Sequence, residues 1–314
     1  MELSVNEIIE KINRLKLERR AVILAHMYQP PEIYDVADFV GDSLELSRKA
    51  TQIDADVIVF CGVYFMAETA SILSPSKKVL IPDLNAGCPL ADMVTAKKLK
   101  SFKSQHKNLI VVAYVNTSAE VKAESDICCT SSNALNVIKS VIDKKGIQGV
   151  DILFLPDRNL GSYIQKNLNI EMNVWDGFCP THNNFILPDY VLKVKMEHPK
   201  AEVLAHPECR PEVISLANHV MSTGLMCKYV EKSTAKDFII ATEIGILHKL
   251  RKDNQDKNFY PVTELAECPN MKKITLAKVL DVLTNMKNIV SVKEDVRQKA
   301  YLPISKMLQI VNSN

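Results

Sequence analysis

The sequence contains no apolar run approaching the roughly 20 residues that a membrane span requires. It also has almost no net charge: 39 Lys and Arg stand against 37 Asp and Glu, leaving +2 over 314 residues. So small a surplus gives no case for nucleic acid as a main partner. No C-x-x-C pair occurs, which excludes a zinc ribbon or a ferredoxin-type run. Neither G-x-G-x-x-G nor a phosphate-binding G-x-x-x-x-G-K-[ST] is present, so a nucleotide cofactor has no support. The opening stretch, MELSVNEIIEKINRLKLERR, lacks the apolar core and small-residue cleavage site of a secretory signal. It reads as an amphipathic helix, and the chain as cytoplasmic.

What is present is an ordinary globular balance, 47% hydrophobic and 24% charged, enough to bury a core. The length suits two or three units of about 100 residues. Eight cysteines occur, at 61, 88, 128, 129, 179, 209, 227 and 268. Disulfide-rich chains are usually small and secreted, so these read as free thiols, metal ligands or reactive groups. Any metal site must gather its ligands from distant parts of the chain.

A repeat supplies the means. Three apolar, β-branched runs close alike: Ala21–His26, Leu109–Tyr114 and Ala201–His206 each end in alanine and a polar ring. Such runs suit buried parallel strands. Two residues beyond the rings stand Tyr28, Asn116 and Glu208; seventeen beyond the same rings stand Ser43, Ser131 and Thr223. Each hydroxyl precedes a helical stretch and is expected to cap it. The chain's three Cys-Pro dipeptides begin at Cys88, Cys179 and Cys268, near the end of each unit. Second apolar runs at Val57–Phe60, Ile152–Leu155 and Phe238–Ala241 complete the pattern. The expectation is an α/β fold of three similar three-layer αβα units with short parallel sheets about a pseudo-threefold axis, divided 1–106, 107–199 and 200–314.

Polar residues at the carboxyl ends of parallel strands face the crevice where ligands bind. Packed about one axis, the units would bring three thiols and the rings His26, Tyr114 and His206 together. Three thiolates without an obvious fourth suit an iron–sulfur cluster with one iron open to substrate. A zinc ion on Cys88, Cys179, Cys268 and His182 is the alternative, and three buried packing cysteines a further one. His26, His206 and Glu208 are the candidates for proton transfer. Tyr28, Tyr114 and Asn116 can donate hydrogen bonds to an anion or carbonyl. Ser43, Ser131 and Thr223, at helix starts, can hold phosphate or carboxylate oxygens. Of the other thiols, Cys209 lies nearest the expected site.

The segments His26-Met-Tyr28-Gln-Pro, Asp38-Phe-Val-Gly-Asp-Ser43, Val63-Tyr-Phe-Met-Ala-Glu-Thr69, Ala113-Tyr-Val-Asn116-Thr, Gly177-Phe-Cys179-Pro-Thr-His182, His206-Pro-Glu208-Cys and Ser222-Thr223-Gly224 resemble quinolinate synthase. The resemblance runs from about residue 20 to 310 of this chain. It implies a [4Fe–4S] enzyme of NAD biosynthesis that condenses iminoaspartate with dihydroxyacetone phosphate to quinolinate, releasing phosphate and two waters. It implies Cys88, Cys179 and Cys268 as cluster ligands, the fourth iron acting as Lewis acid. His26, Tyr28, Ser43, Tyr114, Asn116, Ser131, His182, His206, Glu208 and Thr223 match the family's active-site positions. Of these, Glu208 would transfer protons, and the hydroxyls and His26 would hold carboxylates or phosphate. L-aspartate oxidase enters as a candidate transient partner. Some members carry C-x-x-C-x-x-C at the third ligand; here Cys268-Pro-Asn-Met271-Lys-Lys-Ile274 cannot form that local disulfide. A non-catalytic iron–sulfur sensor is the competing reading.

Overall fold

The computed structural model describes residues 3–145 and 151–310. Its strands form three four-stranded parallel sheets. The first holds β1 (Ala21–His26), β2 (Phe39–Gly41), β3 (Val57–Cys61) and β4 (Lys78–Leu80). The second holds β5 (Leu109–Tyr114), β6 (Ile127–Cys129), β7 (Asp151–Leu155) and β8 (Asn173–Val174). The third holds β9 (Glu202–Ala205), β10 (His219–Val220), β11 (Asp237–Ala241) and β12 (Asn258–Pro261). Every sheet has the same order, second strand, first, third, fourth. The chain therefore reverses direction across the sheet between its first and third strands, which is where an open α/β sheet binds ligands.

The paired runs seen in the sequence become β1 and β3, β5 and β7, β9 and β11. Their β-branched continuity follows from burial on both faces: all five residues of β3 are buried. In β11 the alternation is visible in the packing. Phe238 and Ile240 join the large core shared with the other two sheets, while Ile239 and Ala241 join a smaller core on the opposite face.

The second strands, β2, β6 and β10, escape a reading of periodicity because they span only two or three residues. A side-chain brace makes each of them. Asp38, Asp126 and Asn218 accept the N–H of Ile23, Val111 and Val203, each at 2.8 Å. Each then returns its own N–H to the carbonyl of the same residue, at 2.9, 3.0 and 2.9 Å. An identical brace at identical spacing in all three units is a further mark of the repeat.

Helix starts differ from expectation. Asp42 caps the helix Ser43–Gln52 and Ser222 caps Thr223–Lys232, so Ser43 and Thr223 are the first helical residues. Ser131 stands three residues ahead of the helix Ala134–Lys145. Capping by a neighbour leaves the expected hydroxyls free for other partners. The opening helix, Val5–Glu18, carries a full capping box between Ser4 and Glu7 and packs against Leu276–Asn285. The last helix, Glu294–Gln309, crosses back to lie on Ala119–Ala123 and β6 of the second sheet. Among the described residues, no helix is long and apolar enough to cross a membrane.

Candidate active site

The three strand-end crevices open into one cavity. The first unit contributes His26, Tyr28, Ser43 and Cys88; the second Tyr114, Asn116, Ser131, Cys179 and His182; the third His206, Glu208, Thr223 and Cys268. All thirteen residues singled out in the sequence thus line a single space, and no lysine or arginine does.

Local backbone geometry fixes the rings. Just past β1, the N–H of Tyr28 donates to His26 Nδ1 at 3.2 Å; just past β9, the N–H of Glu208 donates to His206 Nδ1 at 3.3 Å. Each Nδ1 is therefore an acceptor, which places the proton on Nε2. Burial lowers both histidines from 6.5 to about 3, so both are neutral donors near neutral pH. His206 Nε2 lies 3.2 Å from Ser131 Oγ.

The sequence pattern pairs Glu208 with His206, two residues away. The carboxylate instead reaches into the second unit: Oε2 lies 2.9 Å from His182 Nδ1 and 3.8 Å from His206 Nδ1. Oε1 accepts the Tyr114 hydroxyl at 2.6 Å. Burial alone would raise this carboxyl, but the imidazoles of His182 and His206 and the two hydrogen bonds outweigh it. It is held down at about 2 and stays ionised. His182 Nε2 faces the Thr242 hydroxyl at 2.8 Å, and Thr242 meets the Tyr28 hydroxyl at 2.6 Å. Tyr28, Thr242, His182 and Glu208 therefore form one continuous hydrogen-bonded file. Sequence reasoning missed Thr242; its signal was its place just past β11, at the switch point of the third sheet.

A second missed group lies beneath the helix starts. Ser132 Oγ sits 2.6 Å from Asp42 Oδ2 and 2.7 Å from Ser222 Oγ, joining all three units through the neighbours of Ser43, Ser131 and Thr223. Gly224 permits the approach, since a Cβ there would stand 2.5 Å from Asp42 Oδ2.

Burial raises all three Cys-Pro thiols, Cys88 to about 12 and Cys179 well above the usual range. Converting them to thiolates in so dry a place needs a cationic centre, because metal coordination is what deprotonates a buried thiol. Among the described residues, the one group of His, Cys, Asp and Glu with all donor atoms within 4.8 Å is Cys179, His182 and Glu208. A single tetrahedral zinc holds its thiolates about 3.8 Å apart, and Cys88, Cys179 and Cys268 are not so gathered. A centre held by all three thiols would therefore have to be larger than one ion, whereas Cys179, His182 and Glu208 are close enough for a single ion. Asn116 Oδ1 is buried without a partner. That costs about 1–3 kcal/mol, and a ligand donor at this wall would offset it.

The remaining cysteines stay outside this constellation. Cys209 is fully buried and donates its S–H to the Ala241 carbonyl at 3.3 Å. Cys61, Cys128 and Cys129 are buried free thiols in strands, and Cys227 lies half-buried in a helix.

The profile of the family described as Quinolinate synthetase A protein matches residues 10–309. The chain belongs to the quinolinate synthase family. Relatives bearing the name quinolinate synthase span nearly its whole length. That of Dehalococcoides mccartyi is 52% identical over 304 residues, 97% of this chain and 98% of the relative. That of Thermodesulfovibrio yellowstonii is 48% identical over 309 residues, 98% of this chain and 100% of the relative. That of Methanosarcina barkeri is 49% identical over 304 residues, covering 97% and 98%. The quinolinate synthase resemblance noted in the motifs therefore extends over nearly the whole chain.

Proposed function

We infer that this chain is a quinolinate synthase, condensing iminoaspartate with dihydroxyacetone phosphate and releasing phosphate and two waters. We assign Cys88, Cys179 and Cys268 as ligands of a [4Fe–4S] cluster. The observation that carries the reading is the convergence of three thiols from three units on the cavity that also holds the Tyr28–Glu208 file. When bound, the cluster supplies an open iron that acts as Lewis acid on a substrate hydroxyl or carboxylate.

The chain's own residues supply the rest. His26 and His206, neutral with the proton on Nε2, donate to anionic oxygens without adding charge. Ser43, Thr223 and the N–H groups at their helix starts receive carboxylate or phosphate, as the first turn of a helix does. Ser131, bonded to His206, and Asn116 complete the polar wall. Tyr28, its pKa raised far above 10 by burial, stays protonated and can hand its proton to a leaving hydroxyl. Thr242 can then replace it with a proton from His182 Nε2 when that ring carries two, the Nδ1 proton staying against ionised Glu208, which Tyr114 steadies. Dehydration needs an acid at oxygen and an acceptor for the carbon-bound proton; the burial of Tyr28 and Glu208 at the two ends of one hydrogen-bonded file supports these roles for them.

Anaerobically isolated protein is expected to be brown, with about four irons and four sulfides per chain, and to form quinolinate from the two substrates. Cys88→Ala should lose cluster and turnover together. Full cluster content in that variant removes Cys88 as a ligand; a colourless wild type without iron overturns the cofactor assignment. The cytoplasmic location and a transient contact with L-aspartate oxidase, supplying the imine, belong to the same reading.

A further inference from the structure

The three Cys-Pro loops are seated alike. Just past the third strand of each unit, a backbone N–H binds the carbonyl two residues ahead of the cysteine. Tyr64 donates to Ala86 at 2.7 Å, Arg158 to Gly177 at 2.7 Å, and Ile244 to Ala266 at 3.0 Å. The residues immediately before these donors are Val63, Asp157 and Glu243, one equivalent position in three units. There the symmetry breaks. Asp157 Oδ2 accepts the N–H of Cys179 at 3.1 Å, and Glu243 Oε1 accepts the N–H of Cys268 at 3.0 Å. Val63 has nothing to offer Cys88.

Both carboxylates are buried, Asp157 and Glu243 at 0% exposure. Each uses its second oxygen to tie down the following helix. Asp157 Oδ1 caps Arg158–Leu168 through the N–H of Leu160 at 2.8 Å. Glu243 Oε2 takes the N–H of Gly245 at 2.7 Å, ahead of Ile246–Asp253. Lys272 pairs with Glu243 Oε1 at 2.8 Å. In the first unit, by contrast, the helix Tyr64–Leu73 starts at Val63 without a side-chain cap. Gly87, just before Cys88, has open space where a Cβ would stand.

We propose that Asp157 and Glu243 are positioning residues that clamp the loops of Cys179 and Cys268 through their backbone N–H groups. Cys88 is left as the one adaptable thiol of the three. The proposal rests on the reading that these cysteines hold a cluster. Its physical content has two parts. A clamped loop pre-forms the position of its sulfur, so the ligand is released more slowly. An N–H engaged by a carboxylate also cannot turn toward the cysteine sulfur, which keeps electron density on the thiolate; freeing it would ease reduction.

The test uses the anaerobic holoenzyme and two variants. Asp157→Ser keeps a good helix cap while removing the oxygen that reaches Cys179. Glu243→Gln keeps the shape but offers only one acceptor oxygen to the N–H groups of Cys268 and Gly245. Iron transfer to a strong chelator is followed together with the midpoint potential of the cluster. Both variants should release iron faster, by about 10-fold or more, and show a more positive potential. Val63→Ala should match the wild type in both measurements. Release rates and potentials equal to wild type in Asp157→Ser and Glu243→Gln overturn the clamp, as does equal acceleration in Val63→Ala. A wild type lacking iron and sulfide would instead fail the cluster assignment itself, so the two failures are told apart.

Discussion

At the scale of single residues, the functional file depends on a hydroxyl that no spacing rule selects. Thr242 lies between Tyr28 and His182, with contacts of 2.6 and 2.8 Å, and is 2% exposed. Replacement by valine conserves the volume and removes the link. Two buried polar groups are then left short of a partner, at a cost of about 1–3 kcal/mol. More telling is the effect on proton transfer, where a positioned acid or base contributes at least about 100-fold. Thr242→Val should lower kcat by about 10-fold or more with KM nearly unchanged, because Thr242 is absent from the cavity wall and binds nothing there. Steady-state kinetics decide the point: a variant with wild-type kcat would remove Thr242 from the proton path. The sequence made His26, Tyr28, His206 and Glu208 legible because strand ends mark them, and His182 through the family-like motif that follows Cys179. It could not reveal that Glu208 serves His182 more closely than His206. That pairing crosses from one unit to another and depends on packing, not on order along the chain.

At the scale of elements, the long first and third strands were readable because burial on both faces demands unbroken apolar runs. The short second strands were not, since two or three residues carry no period, and a brace from Asp38, Asp126 or Asn218 makes them instead. The helix starts were located within a residue or two, but with the wrong residue as cap. Asp42 and Ser222 take that task, which releases Ser43 and Thr223 toward the cavity. Ser132 holds the two caps together across the three units. Ser132→Ala removes two contacts, of 2.6 and 2.7 Å, and leaves the buried Asp42 carboxyl without its cross-unit donor. Thermal unfolding should report a loss of about 1–3 kcal/mol. Substrate KM should rise alongside, because the three helix starts would no longer be held in a common frame. Unchanged stability and KM would show that the junction is incidental.

At the scale of the whole molecule, burying so many ionisable groups around one cavity links stability to pH. His26 titrates near 6.5 when unfolded and at about 3 in the fold, chiefly because burial opposes its charge, with Lys272 adding to the effect and Glu208 opposing it. Between those values the unfolded chain binds the extra proton, so acid favours unfolding. The contribution of neutral His26 is intact above pH 6.5 and is lost as pH falls toward 3. Asp42, Glu68 and Glu243 are raised by burial and act in the opposite sense over part of that range. The informative quantity is therefore a difference between two proteins. Asn at position 26 can still accept the Tyr28 N–H but does not titrate. Comparing cluster-free wild type with His26→Asn avoids the acid lability of a cluster. From pH 7 to pH 5, wild type should lose about 2 kcal/mol relative to the variant. Denaturant unfolding at the two pH values measures this directly. A gap independent of pH would mean that His26 takes up its proton in the fold as readily as in the unfolded chain. Burial would then not hold it neutral, and the neutral-donor role assigned to this strand end would have to be abandoned.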